Sequence, residues 1–409
     1  MTAGPGREIR RARPEDGESI GPLWTSSFNL PPAWVAKFEE RFRPERVLVA
    51  VEGDRVLATA QGYATAQWFG GRPLATIGIA SVATDPIARG TGMGGEVMRR
   101  LLDEARQSGN LLASLYPSTL PFYRRLGFEY GGVFTVHRVL LGELPSARSG
   151  WGNDAAADLV AMPEDDEPIR RSFRRLAERE NGLVEGLEED WWRQRVLGRH
   201  SAEEPGGTVA TDEGDAPEGY AAYRQERLGE AADWGCRVAC THLVAHSPRA
   251  AIALLGFFRR FKGVGRELTW QGPPSDPMAF LLPEQTLQVA RTWRFMSRIL
   301  DVPAALEGRG YPEDVHGEAV FAVDDPQFPD NRGPFLLEVE GGKVRVSRAD
   351  GDDRDGGPPI PIGALSTMFA AYVSPAAAAR AGLVDPRSPS LGLFGRLFAG
   401  PAPWTPDFF

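Results

Sequence analysis

Ile79-Ala-Ser-Val-Ala-Thr-Asp-Pro-Ile-Ala-Arg-Gly-Thr-Gly-Met-Gly-Gly95 runs from an apolar strand through a glycine loop into a helix. The helix is expected over residues 96–107, because Val97, Met98, Leu101, Leu102 and Ala105 recur at helical spacing and Ser108-Gly109-Asn110 stops it. Such a loop aims backbone N–H groups at the helix N-terminus, where the dipole favours an anion. Gly90, Gly92 and Gly95 formally match the dinucleotide pattern G-x-G-x-x-G. That chemistry also needs an acid at the end of the next strand to hold ribose hydroxyls. The next strand, residues 111–116, is followed by Pro117-Ser118-Thr119 with no acid, and Asp103 and Glu104 lie inside the helix. The loop therefore suits a different phosphate ligand, with Arg89 adding positive charge.

Upstream, residues 16–28 and 33–42 read as helices separated by Pro31-Pro32. Residues 47–51 and 55–62 form a hairpin across Glu52-Gly53-Asp54, and 63–69 extend its second strand. A turn at Gly70-Gly71-Arg72-Pro73 leads into a strand over 74–83. Downstream, 120–126 is a short helix and 128–141 closes the unit. Hairpins followed by a strand–loop–helix–strand unit give a mixed α/β sheet.

At 409 residues the chain should hold two to three domains. Residues 1–145 form the first, and a Gly-, Ser- and Pro-rich linker at 142–158 leads to a second over 155–283. There the order of helices and strands echoes the first domain, but the helix after the strand opens with His246-Ser-Pro-Arg249 instead of glycines. The third domain is placed at 284–409, with residues 292–299 readable as helix or strand.

Hydrophobic content of 42% and charged content of 25% are those of a globular protein. A net charge of −9 and a pI near 5.3 argue against a nucleic-acid partner. Cys236 and Cys240 have no further His or Cys at ligand spacing, so no metal is expected, and two thiols suit a reduced, cytoplasmic setting. Residues 1–14 lack the apolar core of a secretory signal, and no apolar run approaches the roughly 20 residues of a membrane span.

A second motif, Pro121-Phe-Tyr-Arg-Arg-Leu-Gly-Phe128, follows the loop at a suitable distance. Arg89-Gly-Thr-Gly92-Met-Gly94 resembles the R/Q-x-x-G-x-G/A pyrophosphate loop of the GNAT N-acetyltransferases, and the second motif resembles their F-Y-x-x-x-G-F signature. Thr292-Trp-Arg-Phe-Met-Ser-Arg-Ile-Leu-Asp-Val-Pro-Ala-Ala-Leu306 is similar to the L-W-x-R-L-x-D-V-P-A-A-L stretch of the Eis (enhanced intracellular survival) family within that group. The resemblance implies tandem GNAT domains, the second degenerate, followed by an α/β domain like the sterol-carrier proteins. It also implies acetyl-CoA as cosubstrate, a primary amine of aminoglycoside, polyamine or lysine type as acceptor, and a homohexamer.

Carried over residue by residue, the resemblance makes Tyr123 the general acid and the α-carboxylate of Phe409 the base. Val82, Ala83 and Thr84 would pair with pantetheine. Arg89, Gly90, Thr91, Gly92, Met93, Gly94 and Gly95 would cradle the pyrophosphate, with Ser118 and Thr119 beside the cofactor. The aromatic-rich residues 404–409 should bury themselves. Phe28, Trp34, Trp68 and Asp407 are candidates for the amine cleft. The stretch Trp24-Thr-Ser-Ser-Phe28 departs from relatives in carrying no acid.

Overall fold

The computed structural model describes residues 7–31, 42–145, 160–161, 166–186, 192, 196, 205–212, 214–229, 235–349 and 356–408. The helix expected at 33–42, together with Trp34 and Phe409, lies outside the described residues.

The first unit comprises β1 (Arg7–Arg11), α1 (Gly17–Phe28), β2 (Val47–Glu52), β3 (Arg55–Phe69), β4 (Arg72–Thr84), α2 (Met93–Gln107), β5 (Leu112–Leu115), α3 (Leu120–Arg124) and β6 (Glu129–Leu140). Apart from β1, which carries no clear strand pattern, these agree with the elements expected from the sequence to within a few residues at the ends. The second unit contributes β7 (Val160–Ala161), α4 (Glu167–Ala177), β8 (Val184–Gly186), β9 (Gly206–Ala210), β10 (Gly219–Arg227), β11 (Cys236–Ala245), α5 (Pro248–Arg259) and β12 (Gly265–Gly272). Then follow β13 (Gln288–Ile299), α6 (Val302–Gly308), β14 (Gly317–Asp324), β15 (Gly333–Glu340), β16 (Lys343–Arg348), β17 (Ile360–Pro361), α7 (Ile362–Phe369), α8 (Pro375–Arg380) and α9 (Leu391–Leu397).

One sheet runs through both of the first units in the order β1-β2-β3-β4-β5-β13-β6-β12-β11-β10-β9-β7, with β8 on β3. Residues 292–299, left open between helix and strand, are strand. That strand, β13, inserts antiparallel between β5 and β6, pairing Ser297 with both Ser114 and Glu129. Its residues 295–299 are buried, with Met296 and Ser297 paired on both sides, whereas 288–294 are exposed. The smaller sheet, β16-β15-β14-β17, belongs to the last unit alone.

Helix α2 buries Val97, Met98, Leu101, Leu102 and Ala105 against β2, β3 and β4. Each large side chain so buried contributes roughly 1.5–3 kcal/mol. Among the described residues no helix is long and apolar enough to cross a membrane, and no group of three His, Cys, Asp or Glu could hold a metal ion. Cys236 and Cys240 are free and buried on β11.

Candidate active site

Between β4 and α2 the backbone turns left-handed twice, at Gly90 (φ +79°) and Gly92 (φ +89°). Among the described residues, no atom lies within 4 Å of where a Cβ on either would project, so the chain is free on that side. Gly92 is the N-cap of α2 and offers no side chain, leaving the first N–H groups of the helix without a capping acceptor. Gly94 serves another purpose. A Cβ there would come 2.7 Å from Thr84 Oγ1 and 3.8 Å from Phe122, so the missing atom lets α2 press against the end of β4 and face α3. Arg89 stands exposed at the rim, its Nε donating to Thr84 O at 3.3 Å. Uncapped N–H groups, open space and a cation fit a phosphate.

The β4–β5 pairing is parallel and stops at Ile79 with Leu115, so residues 80–84 of β4 continue without a β5 neighbour. A bulge aims this edge. Register with β3 slips between Thr59–Ala83 and Gln61–Ala80, and Ser81 sits at φ +52°. Thr59 Oγ1 donates to Ser81 O (2.7 Å), and Ser81 Oγ donates to Gln61 Oε1 (3.0 Å), which holds the kink. Val82, Ala83 and Thr84 therefore lie on an open strand edge that leads to the phosphate loop. An extended, amide-bearing chain fits such an edge.

Tyr123 lies on α3, 4% exposed, within the core of the first unit and ringed by Phe122 and Phe128. Burial pushes its phenol up to about 12, while a hydrogen bond with the Ser118 side chain pulls the other way. The phenol thus keeps its proton at every physiological pH. Proton transfer from a group near 12 to an exposed thiolate near 8.5 would be uphill by about 1.4 kcal/mol per pKa unit. A thiolate released into the same dry site has its own affinity for protons raised, which narrows the gap.

The chain's last described residues end here. Val133 N donates to Pro403 O (3.1 Å) and Thr405 N donates to Val133 O (3.0 Å), so residues 403–405 run parallel to β6 where β12 has ended. Trp404 is fixed by Nε1 to Glu180 Oε2 (3.0 Å) and by its N–H to Asn181 O (2.9 Å). Tyr116, immediately after β5, donates its hydroxyl to Asp407 O at 2.7 Å and stacks on Phe408 at 4.3 Å. Phe408 also meets Trp293 at 4.7 Å. The expectation that this tail buries itself holds for Trp404, Thr405 and Asp407, at 4%, 0% and 3% exposure, and fails for Phe408, whose ring stays 43% exposed.

The cleft candidates separate. Trp68 is core, with Nε1 on Glu185 Oε2 (3.3 Å), packed in one cluster with Trp404 and Tyr220. Asp407 is buried near Tyr220, whose phenol is raised chiefly by its own burial and further by the charge of Asp407. Phe28 is 40% exposed at the end of α1, and its helix packs in a different cluster. Tyr116, Glu180, Asn181 and Ser81 were not singled out in the sequence. Gly131-Gly132 was a readable signal: glycine inside a strand marks close approach, and a Cβ on Gly132 would lie 2.7 Å from Pro403 O.

The first unit thus combines an open strand edge, a glycine loop at the start of a helix and a buried tyrosine. GNAT acetyltransferase domain profiles match residues 8–131 and 188–299, and a sterol carrier protein domain profile matches 302–406. N-acetyltransferase Eis of Mycobacterium tuberculosis is 30% identical over 297 residues, covering 68% of this chain and 67% of that protein. An uncharacterised N-acetyltransferase of Streptomyces avermitilis is 26% identical over 396 residues, 90% of this chain and 89% of its own. The crystal structure of a GCN5-related N-acetyltransferase from Anabaena variabilis superposes with a TM-score of 0.87 at 24% identity, over 98% of this chain and 100% of that one. The chain belongs to the Eis family of GNAT N-acetyltransferases. It is an acetyltransferase, built of two GNAT units and a sterol-carrier-like unit.

Proposed function

We propose that this enzyme acetylates primary amines of aminoglycoside, polyamine or lysine type, with Tyr123 as general acid and the α-carboxylate of Phe409 receiving the amine's proton. The observation that carries this reading is the path of residues 403–408, held on β6 by Val133 and tied by Tyr116 to the chain just after β5. Phe409 is bonded directly to Phe408, whose ring lies against Tyr116 two residues before Ser118.

Acetyl-CoA, when bound, supplies the thioester to be attacked and the thiol that leaves. The N–H groups from Gly92 to Gly95, with Arg89, hold its pyrophosphate, and the edge at Val82, Ala83 and Thr84 orients the pantetheine. Thr91, Met93, Ser118 and Thr119 line the same path. Tyr123 stays protonated and gives its proton to the leaving sulfur. The terminal carboxylate orients the ammonium, sheds its water and takes up a proton as the amine attacks. In the same reading the chain assembles as a homohexamer, as its family resemblance suggests, and works in the cytoplasm, as its two reduced cysteines suggest.

The test is thiol release from acetyl-CoA with a panel of polyamines, aminoglycosides and lysine peptides, for the intact chain and for a variant extended by a few residues beyond Phe409. Amine-dependent release that is abolished by extension, with acetyl-CoA still bound, is expected. Unchanged rates in the extended chain would remove the carboxylate from the mechanism.

A further inference from the structure

Arg298, near the end of β13, is completely buried, and its Nη2 donates to the equally buried Asp325 Oδ1 at 2.8 Å. Asp325 organises the turn that follows β14. Its Oδ1 also accepts Gln327 N (3.0 Å) and Phe328 N (3.2 Å), and its Oδ2 accepts Asn331 Nδ2 (2.9 Å). From this turn Gln327 Nε2 donates to Arg99 O (3.0 Å) and Asp103 Oδ1 (2.8 Å), both on α2. Phe328 enters the core of the first unit, with the guanidinium of Arg106 4.9 Å from its ring centroid and that of Arg298 at 5.0 Å.

The other side of Arg298 packs on the turn that ends α3. Gly127 there has φ +82°, and a Cβ on it would lie 2.7 Å from Arg298 Nη1 and 2.8 Å from Ile362 Cγ2. Within that turn the N–H groups of Leu126 (2.9 Å) and Phe128 (3.1 Å) both close on Tyr123 O. The glycine of the Tyr123 motif is therefore glycine because a guanidinium from a strand far along the chain occupies the place of its side chain.

Among the described residues, Arg298 Nε and Nη1 have no hydrogen-bond partner. A buried cation with two idle donors is a poor way to gain stability, and apolar replacements of such pairs are often neutral or better. We propose that Arg298 and Asp325 are positioning residues for acetyl transfer: they brace the turn carrying Tyr123 against α2, and so set the proton donor relative to the phosphate loop. They touch no reacting atom. The proposal rests on Tyr123 being the acid.

The test compares four full-length proteins: the parent, Arg298→Met/Asp325→Asn, Tyr123→Phe, and the triple variant. In the Asp325→Asn change the side-chain oxygen still accepts Gln327 N and Phe328 N, while the bond from Asn331 Nδ2 is given up. The double variant is expected to keep its melting temperature within a few degrees and its acetyl-CoA Kd within about threefold, while kcat falls about tenfold or more. In the Tyr123→Phe background the same pair of changes should lower kcat by less than about twofold, since a donor already removed cannot be misplaced. A double variant with parental kcat, or one whose loss persists in full without the Tyr123 hydroxyl, overturns the proposal while leaving Tyr123 as the acid. A Tyr123→Phe enzyme with parental kcat overturns that assignment and the proposal with it. Should the double variant fail to fold, Arg298→Lys keeps a cation for Asp325 but cannot also span to Gly127; it should show the same selective loss of kcat, and parental kcat would overturn the proposal.

Discussion

Two helices in this molecule follow a strand in the same way and begin in opposite fashion. Helix α2 opens on Gly92, which caps nothing, beside an open strand edge. Helix α5 opens on Ser247, whose hydroxyl accepts Ala250 N at 3.3 Å, with Pro248 next and carrying no N–H, so its N-terminus has a side-chain cap of its own. The second unit also retains splayed parallel strands, because β11 pairs with β12 only as far as Cys240 with Trp270. There the gap is filled from within. With its amide set to donate, the Gln271 side chain reaches Thr241 O (3.1 Å) and Cys240 O (2.5 Å). His246, just before the cap, is held by Ser172, and burial lowers its affinity for a proton. In the second unit one serine and one glutamine thus take up groups whose counterparts in the first unit have no side-chain cap and no β5 neighbour. Leaving donors and an edge unpaired costs stability, and a ligand that binds them returns it.

The contrast can be broken at its strongest point first. Tyr123→Phe should lower kcat by about a hundredfold with acetyl-CoA Kd nearly unchanged, measured by steady-state kinetics and calorimetry. Gly92→Asp gives the first helix a carboxylate cap of its own. It should weaken acetyl-CoA binding by at least tenfold, through repulsion of phosphate and strain at φ +89°. In the second unit, Ser247→Ala should cost about 1 kcal/mol of stability in denaturant titration and leave acetyl-CoA affinity alone. A shift in affinity there would mean that the second unit also contributes to cofactor binding. The smallest effect concerns pH. Burial raises the Tyr123 phenol from 10 to about 12, so the donor stays loaded as pH rises through 10 and is lost only toward 12. The kcat profile should therefore be flat between pH 9 and 10 when acceptor is saturating; a decline there would point to a donor of lower pKa.

What was legible in the sequence was local. The glycines of the loop, the helix behind them and the Tyr123 motif each act within a few residues, so their spacing carried the information. Strand β13 was ambiguous because Thr292-Trp-Arg-Phe-Met-Ser-Arg-Ile299 has neither clean alternation nor a helical stripe. Its two halves face different surroundings, one exposed and one buried on both faces, and that depends on partners remote in sequence. The bulge at Ser81 left no mark because serine rarely takes φ +52° and nothing nearby announces it. Trp68 looked like a cleft residue by type; its indole instead finds Glu185 on β8, a pairing that no local pattern encodes.

The insertion of β13 between β5 and β6 also has a consequence for how the enzyme is made. Ser114 and Met296, joined across that seam by a hydrogen bond, are 182 residues apart. Until the later strand arrives, β5 and β6 expose bare edges to solvent and neighbouring chains, a state open to wrong pairing. Closure over so long a loop is slow, because its entropy is lost before its contacts form. The amino-terminal segment should therefore not refold alone into a competent unit, and chaperone demand should peak while translation is between β6 and β13.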